Sequence, residues 1–118
     1  MHFPRRLDSS FESLLFIRDG AILRRVDVKQ ILWVHSDGNY ITIHTPQQKF
    51  VLKMSLKKVC EKLPTETFVR VHRSFVVQTN LIEKIDFQEN KVHIGGGEIF
   101  PLGRGYKAEL MGQIDLLN

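Results

Sequence analysis

Ile31-Leu32-Trp33-Val34-His35, Ser36-Asp37-Gly38-Asn39 and Tyr40-Ile41-Thr42-Ile43-His44 form the stretch that decides the fold of this 118-residue chain. The first segment is a continuous apolar run. The second is a cluster of turn-forming residues. The third alternates apolar and polar residues at period two, the pattern of a strand with one face covered. Thr45-Pro46-Gln47-Gln48 makes a further turn and leads into Lys49-Phe50-Val51-Leu52-Lys53. Three consecutive strands joined by tight turns describe an antiparallel meander.

Upstream, Leu14 to Arg18 runs into Asp19-Gly20, a hairpin signal, and Ala21 to Val26 is its return strand. Residues 1–13 show no period and read as a linker or frayed terminus. Downstream, Ser55 is placed to cap a helix, with Leu56, Val59, Cys60 and Leu63 on one face and Leu63-Pro64 as its stop. Cys60 on that apolar face reads as core. Strand character resumes at Phe68 to Arg73, where Val69 and Val71 share one face and Arg70 and His72 the other. Phe75-Val76-Val77 continues it. A hairpin from Leu81 to Ile94 turns at Glu89-Asn90, and Gly95-Gly96-Gly97 turns into Glu98 to Leu102. Leu110, Ile114 and Leu117 have helical spacing, so a helix is expected in the tail from Tyr106 to Leu117. The expected fold is mainly β: small antiparallel sheets with one short amphipathic helix and a C-terminal helix.

Composition bounds what such a chain can be. Apolar residues are 42% and charged residues 25% of the sequence, the balance of a globular domain. No run approaches the ~20 apolar residues that cross a bilayer. The start, Met1 to Arg6, lacks the apolar segment of a secretory signal. A single cysteine excludes an internal disulfide. These features together point to the cytoplasm. The net charge is +4. It is concentrated: seven basic residues but two acidic ones lie between Lys49 and Arg73, and the remainder is close to neutral. Such a window is either a solvated helix face or the footprint of an anionic partner.

Catalytic patterns do not emerge. The five histidines, His2, His35, His44, His72 and His93, have no metal-ligand spacing. The triple glycine precedes a strand and not a helix, so it does not make a phosphate loop. His72 and Ser74 lack an acidic partner for nucleophilic chemistry. No catalytic residue, metal or cofactor is expected, and the reading is a non-enzyme.

Phe68-Val69-Arg70-Val71-His72-Arg73-Ser74-Phe75-Val76-Val77 resembles the signature of the LytTR-type DNA-binding domain, found mainly in bacterial two-component response regulators. The resemblance extends to Ile31–Ile41 with its Gly38-Asn39-Tyr40, to Met54–Val59 with Leu63-Pro64, and to Ile99–Arg104. These blocks stand in family order across residues 14 to 117, so residues 14–118 are expected to form one such domain. The resemblance implies binding of double-stranded DNA by loops that enter successive major grooves. It also implies two copies on tandem half-sites and a role as transcription regulator. With 118 residues there is no room for a receiver domain as well, so the expectation is either an output module of a phosphorelay or a stand-alone regulator.

Carried over residue by residue, the resemblance points to Asn39 with Tyr40 beside it, to His72, Arg73 and Ser74, and to Arg104 with Lys107 close by. Arginine forks can pair with guanine, which suits Arg73 and Arg104 as base readers. Asn39 either pairs with adenine or holds its turn. His72 and Ser74 suit phosphate oxygens. Lys53, Lys57 and Lys58 are candidates for nonspecific phosphate contact, or a solvated face. Trp33 and Tyr40 read as packing groups. Three positions depart from the family pattern: His35 stands for a common glutamate, Gly103 for a serine, and Gln78 for an asparagine. The Gly103 change is expected to loosen the approach of Arg104. The alternative function is a β-rich protein-interaction module whose basic face meets an acidic partner. RNA binding is a weaker third reading, since few aromatics are left over for base stacking.

Overall fold

Every expected hairpin forms, and the side-chain alternation assigns each strand to a layer. A computed structural model describes residues 14–118; the stretch at residues 1–13 expected to be a linker lies outside them. β1 (Leu14–Asp19) and β2 (Ile22–Asp27) pair as an isolated hairpin, with Gly20 in the left-handed region at φ +64°. After a 3-10 turn at Val28–Gln30 come β3 (Trp33–Asp37), β4 (Tyr40–His44) and β5 (Lys49–Lys53), the expected meander. Helix α1 (Leu56–Lys62) follows. The Ser55 hydroxyl accepts the Lys58 N–H at 3.1 Å, so the expected cap is in place. β6 (Phe68–His72) and β7 (Phe75–Gln78) then join the meander in a five-stranded antiparallel sheet of order β5-β4-β3-β7-β6. β8 (Ile82–Asp86), β9 (Lys91–Ile94) and β10 (Ile99–Pro101) form a second sheet, and α2 (Lys107–Gly112) closes the chain.

One face of the five-stranded sheet is covered by α1 and the first hairpin, and the other is covered over β6, β7 and Trp33 of β3; on that second face β4 and β5 are open, with Tyr40 50% and Val51 64% exposed. Val34, Ile41, Ile43, Phe68 and Val76 pack with Val26 and Val28 near the hairpin and with Leu56, Val59 and Leu63 of α1. Val69, Val71 and Val77 pack the other way, against Val92, Ile94 and Phe100 of the small sheet and Leu102 and Leu110. Neighbouring residues Val76 and Val77 therefore point into different cores, at 1% and 0% exposure. A strand wet on one face alternates; one dry on both does not. Cys60 is half-buried beside the first core, and burial raises its thiol pKa, so it stays protonated as core.

The C-terminal helix is shorter than the spacing predicts. It ends at Gly112, a residue with poor helix propensity, and Leu117 lies fully in solvent, so only Leu110 of the three spaced residues is core. Among the described residues no helix is long and apolar enough to cross a membrane.

Gln78 was read as a longer substitute for asparagine. It is a buried latch. Its Nε2 donates to the carbonyls of Ile31 at 2.7 Å and Lys29 at 3.2 Å, tying the end of β7 to the turn that leads into β3. Gln78→Leu removes both bonds and leaves a buried carbonyl without its donor, so unfolding free energy should fall by about 1–3 kcal/mol. Urea denaturation checks this through a lower midpoint at unchanged slope; an unchanged midpoint contradicts the latch.

Candidate nucleic-acid interface

Antiparallel pairing decides which loops meet. His35 of β3 stands opposite Phe75 of β7, so the β3–β4 turn and the β6–β7 turn leave the sheet at the same end. The Ser36 N–H donates to the Ser74 carbonyl at 2.9 Å and joins them directly. Tyr40 is opposite Lys53, which brings the end of β5 to that edge too. From the second layer, the Gly103 N–H donates to the Val71 carbonyl at 2.8 Å and lays the segment before Arg104 along the end of β6. Lys53, Asn39, Tyr40, Arg73, Ser74 and Arg104 thus line one end of the molecule, in the order of the strands.

The β3–β4 turn is Gly38-Asn39. Gly38 takes the left-handed conformation at φ +62°, and Asn39 does not need it. Asn39 is exposed, and among the described residues no hydrogen bond engages its amide, so its side chain is free for a ligand. Tyr40 departs from its packing expectation: it is 50% exposed beside Asn39. Trp33 does pack, stacked on His44 with ring centroids 4.2 Å apart and edge-on to Phe100. His35, at the position of the family glutamate, stacks on Phe75 at 4.7 Å and so supports the start of β7.

Arg73 and Ser74 form the β6–β7 turn. Arg73 is exposed; Ser74 and His72 are half-buried. Among the described residues the sole ion pair is Arg24 with Asp19 on the far hairpin, so the guanidiniums of Arg73 and Arg104 have no carboxylate within ion-pair distance. Arg104 is exposed in a 3-10 turn at Arg104–Tyr106. Lys107 leans on the Phe87 ring, 5.7 Å from its centroid, beside the β8–β9 turn. Lys57 and Lys58 are exposed on the first turn of α1, on the opposite layer from Arg104.

The missing side chain at Gly103 makes room for Tyr106. A Cβ there would sit 2.9 Å from Tyr106 Cδ2, so its absence lets the tyrosine ring close onto the backbone beside His72. The sequence reading also missed Arg70, grouped with the basic window as part of an electrostatic footprint. The structure turns it inward: its Nη2 donates to the Arg73 carbonyl at 2.6 Å and its Nε to the His72 carbonyl at 3.4 Å. A two-residue hairpin turn without glycine was the available signal that something else must hold it.

His72 supports the turn from inside. Its Nδ1 accepts the Ser74 N–H at 3.1 Å, which places the imidazole proton on Nε2. Burial first, and then the charges of Arg73 and Arg70, hold its pKa below the ordinary 6.5. Protonating Nδ1 breaks the bond, so this support is complete above the ordinary value and is lost as pH falls through the depressed one. A proton–nitrogen NMR titration should give a His72 midpoint below 6.5, with the Ser74 amide moving at the same midpoint. Arg73→Ala should raise it. A midpoint above the ordinary value, or a Ser74 amide indifferent to it, contradicts this arrangement.

Comparison with known proteins adds the lineage. The model of the LytTr DNA-binding domain family matches residues 22–115. The sensory transduction protein LytT of Bacillus subtilis (strain 168) is 32% identical over 88 residues, covering 72% of this chain and 36% of LytT. The transcriptional regulatory protein YpdB of Escherichia coli (strain K12) is 30% identical over 67 residues, covering 57% of this chain and 28% of YpdB. The chain therefore corresponds to the smaller part of each relative. The LytTr DNA-binding domain of a Bacillus cereus protein described as a methyl-accepting/DNA response regulator shares the fold, with a TM-score of 0.72 at 21% identity over 86% of this chain and 95% of that one. With the match running from residue 22 to residue 115 of 118, this chain belongs to the LytTr DNA-binding domain family.

Proposed function

We propose that this DNA-binding domain reads double-stranded DNA sequence-specifically with the end of its five-stranded sheet. Arg73 and Arg104 are the base readers, Asn39 with Tyr40 a third contact, and His72 and Ser74 the phosphate contacts. Lys53, Lys57, Lys58 and Lys107 supply attraction without sequence preference. The observation that carries this reading is the convergence of the Gly38-Asn39 turn, the Arg73-Ser74 turn and the Arg104 segment at one end, held by the Ser36–Ser74 and Gly103–Val71 hydrogen bonds.

Dimensions support loops that enter successive major grooves. Five strands at their usual spacing extend over roughly 19 Å, and a major groove is only about 12 Å wide. Groups at the two flanks of that row reach different groove segments. Two copies on tandem half-sites one helical turn apart would then face the same side of the duplex. The biological role is transcription regulation in a bacterial cytoplasm, as the output module of a phosphorelay response regulator with a receiver domain and sensor kinase upstream, or as a stand-alone regulator. The domain's work is binding, without a catalytic step.

Selection of genomic fragments with the purified domain, followed by fluorescence anisotropy, tests this. A repeated motif should be enriched. Arg73→Ala and Arg104→Ala should each cost about 1–3 kcal/mol on that motif and little on random DNA. Lys57→Ala and Lys58→Ala should weaken all sequences alike, each reducing the salt slope by about 1. No enriched motif, with wild type and arginine variants binding every fragment equally, would leave the basic end to an acidic protein partner.

A further inference from the structure

The Arg73-Ser74 turn is short and lacks the backbone that usually makes such turns. Two-residue hairpins ordinarily place a residue in the left-handed region, because that twist matches the strands. Neither Arg73 nor Ser74 is there; Asn90 is the one described non-glycine residue with positive φ. The pairing shifts instead between Arg70 and His72, leaving a bulge at the end of β6. Bulges of this kind redirect the chain beyond them. A redirected turn that carries a base reader needs a fixed aim, and β6 is an edge strand with a neighbour on one side only.

We propose that Arg70 is a positioning residue that locks the Arg73 turn and the Arg104 segment into one rigid reading unit. This rests on Arg73 and Arg104 being the readers. The planar guanidinium spends two donors on the turn, one on the carbonyl of each of His72 and Arg73. Its Cζ lies over the Tyr106 ring, 5.6 Å from the centroid. Tyr106 follows Arg104 by two residues and closes onto Gly103, where there is no room for a Cβ. Gly103 in turn is hydrogen-bonded to Val71, next to Arg70. The chain of contacts runs from one reader to the other and passes through the guanidinium. Lysine cannot replace it, because a single ammonium lacks both the fork and the stacking plane.

The role differs from phosphate contact in what it does to salt dependence. A side chain that neutralises a phosphate contributes about 0.9 to the slope of log K against log salt. One that acts through the turn contributes nothing to that slope. Arg70→Lys, Arg70→Met, Tyr106→Phe and Tyr106→Leu are the variants, with urea midpoints confirming that each remains folded. Affinity for the enriched motif and for random DNA is read by anisotropy at several salt concentrations. Amide signals of residues 72–74 and 103–105 are read by NMR in the free protein.

Arg70→Lys should lose about tenfold on the motif, the worth of one charge-assisted hydrogen bond, and little on random DNA, and Arg70→Met, which removes the charge as well, should do the same at unchanged salt slope. Amides of both segments should shift. Tyr106→Phe keeps the ring and should match wild type. Tyr106→Leu should behave like Arg70→Lys, and the double variant should be no worse than either single one. The proposal is overturned if Arg70→Lys binds the motif as tightly as wild type, if Tyr106→Leu is silent, or if only the residue 72–74 amides respond. Should wild type enrich no motif, the assignment of Arg73 and Arg104 as readers fails by itself. The amide signals then decide separately whether Arg70 couples the two segments, and unmoved signals at residues 103–105 reject it.

Discussion

The structure depends on a sheet whose β6–β7 half is dry on both faces. Val76 and Val77 sit side by side on β7 and fill two different cores, one closed by α1 and the first hairpin, the other by the small sheet and α2. Burying apolar side chains on both faces is the main source of stability available to so small a domain. It also dictates where function can lie. With both of their faces covered, β6 and β7 offer a ligand only their loops, and the antiparallel register gathers the β3–β4 and β6–β7 loops at one end. The proposed interface is therefore a consequence of packing before it is a matter of charge.

Charge then selects that end. Arg73 and Arg104 reach it unpaired among the described residues, while the one ion pair lies on the distant hairpin. A protein–DNA surface needs both a general attraction and a few fixed hydrogen-bonding groups, because phosphate contacts position and base contacts specify. The lysines on the first turn of α1 suit the first need. Fixing the arginines falls to neutral and inward-facing groups: the His72 imidazole that receives the Ser74 amide, and the Arg70 guanidinium that binds two carbonyls of the turn. One arginine of the turn is thus braced by another three residues before it.

Much of this was legible in the sequence. Alternation over Tyr40–His44, the Asp-Gly turns and Ser55 ahead of Leu56, Val59 and Leu63 are local signals, and the elements they predict form. What local pattern cannot carry is contact between residues far apart in the chain. Gln78 reaches the Ile31 carbonyl 47 positions away, and nothing around Gln78 announces it. The tail is the converse case: Ile114 and Leu117 have the spacing of a helix, but α2 stops at Gly112 and Leu117 lies in solvent. At the site, residue types suggest Arg73 and Arg104 through the family pattern, while the contacts of Arg70 and Gly103 are not visible in it. Arg70 looked like one more positive charge, and Gly103 like a lost hydroxyl. Their roles depend on the Tyr106 ring, and only the three-dimensional arrangement brings it there.

The central claim is that the end of the five-stranded sheet is the DNA-binding surface. Titrating isotope-labelled domain with a duplex carrying its enriched motif, and following every backbone amide, tests it most directly. The account predicts that the largest changes map to residues 38–40, 72–74 and 103–107, with the outer face of the β1–β2 hairpin silent. Changes centred on that hairpin, or confined to the exposed face of α1, would contradict it.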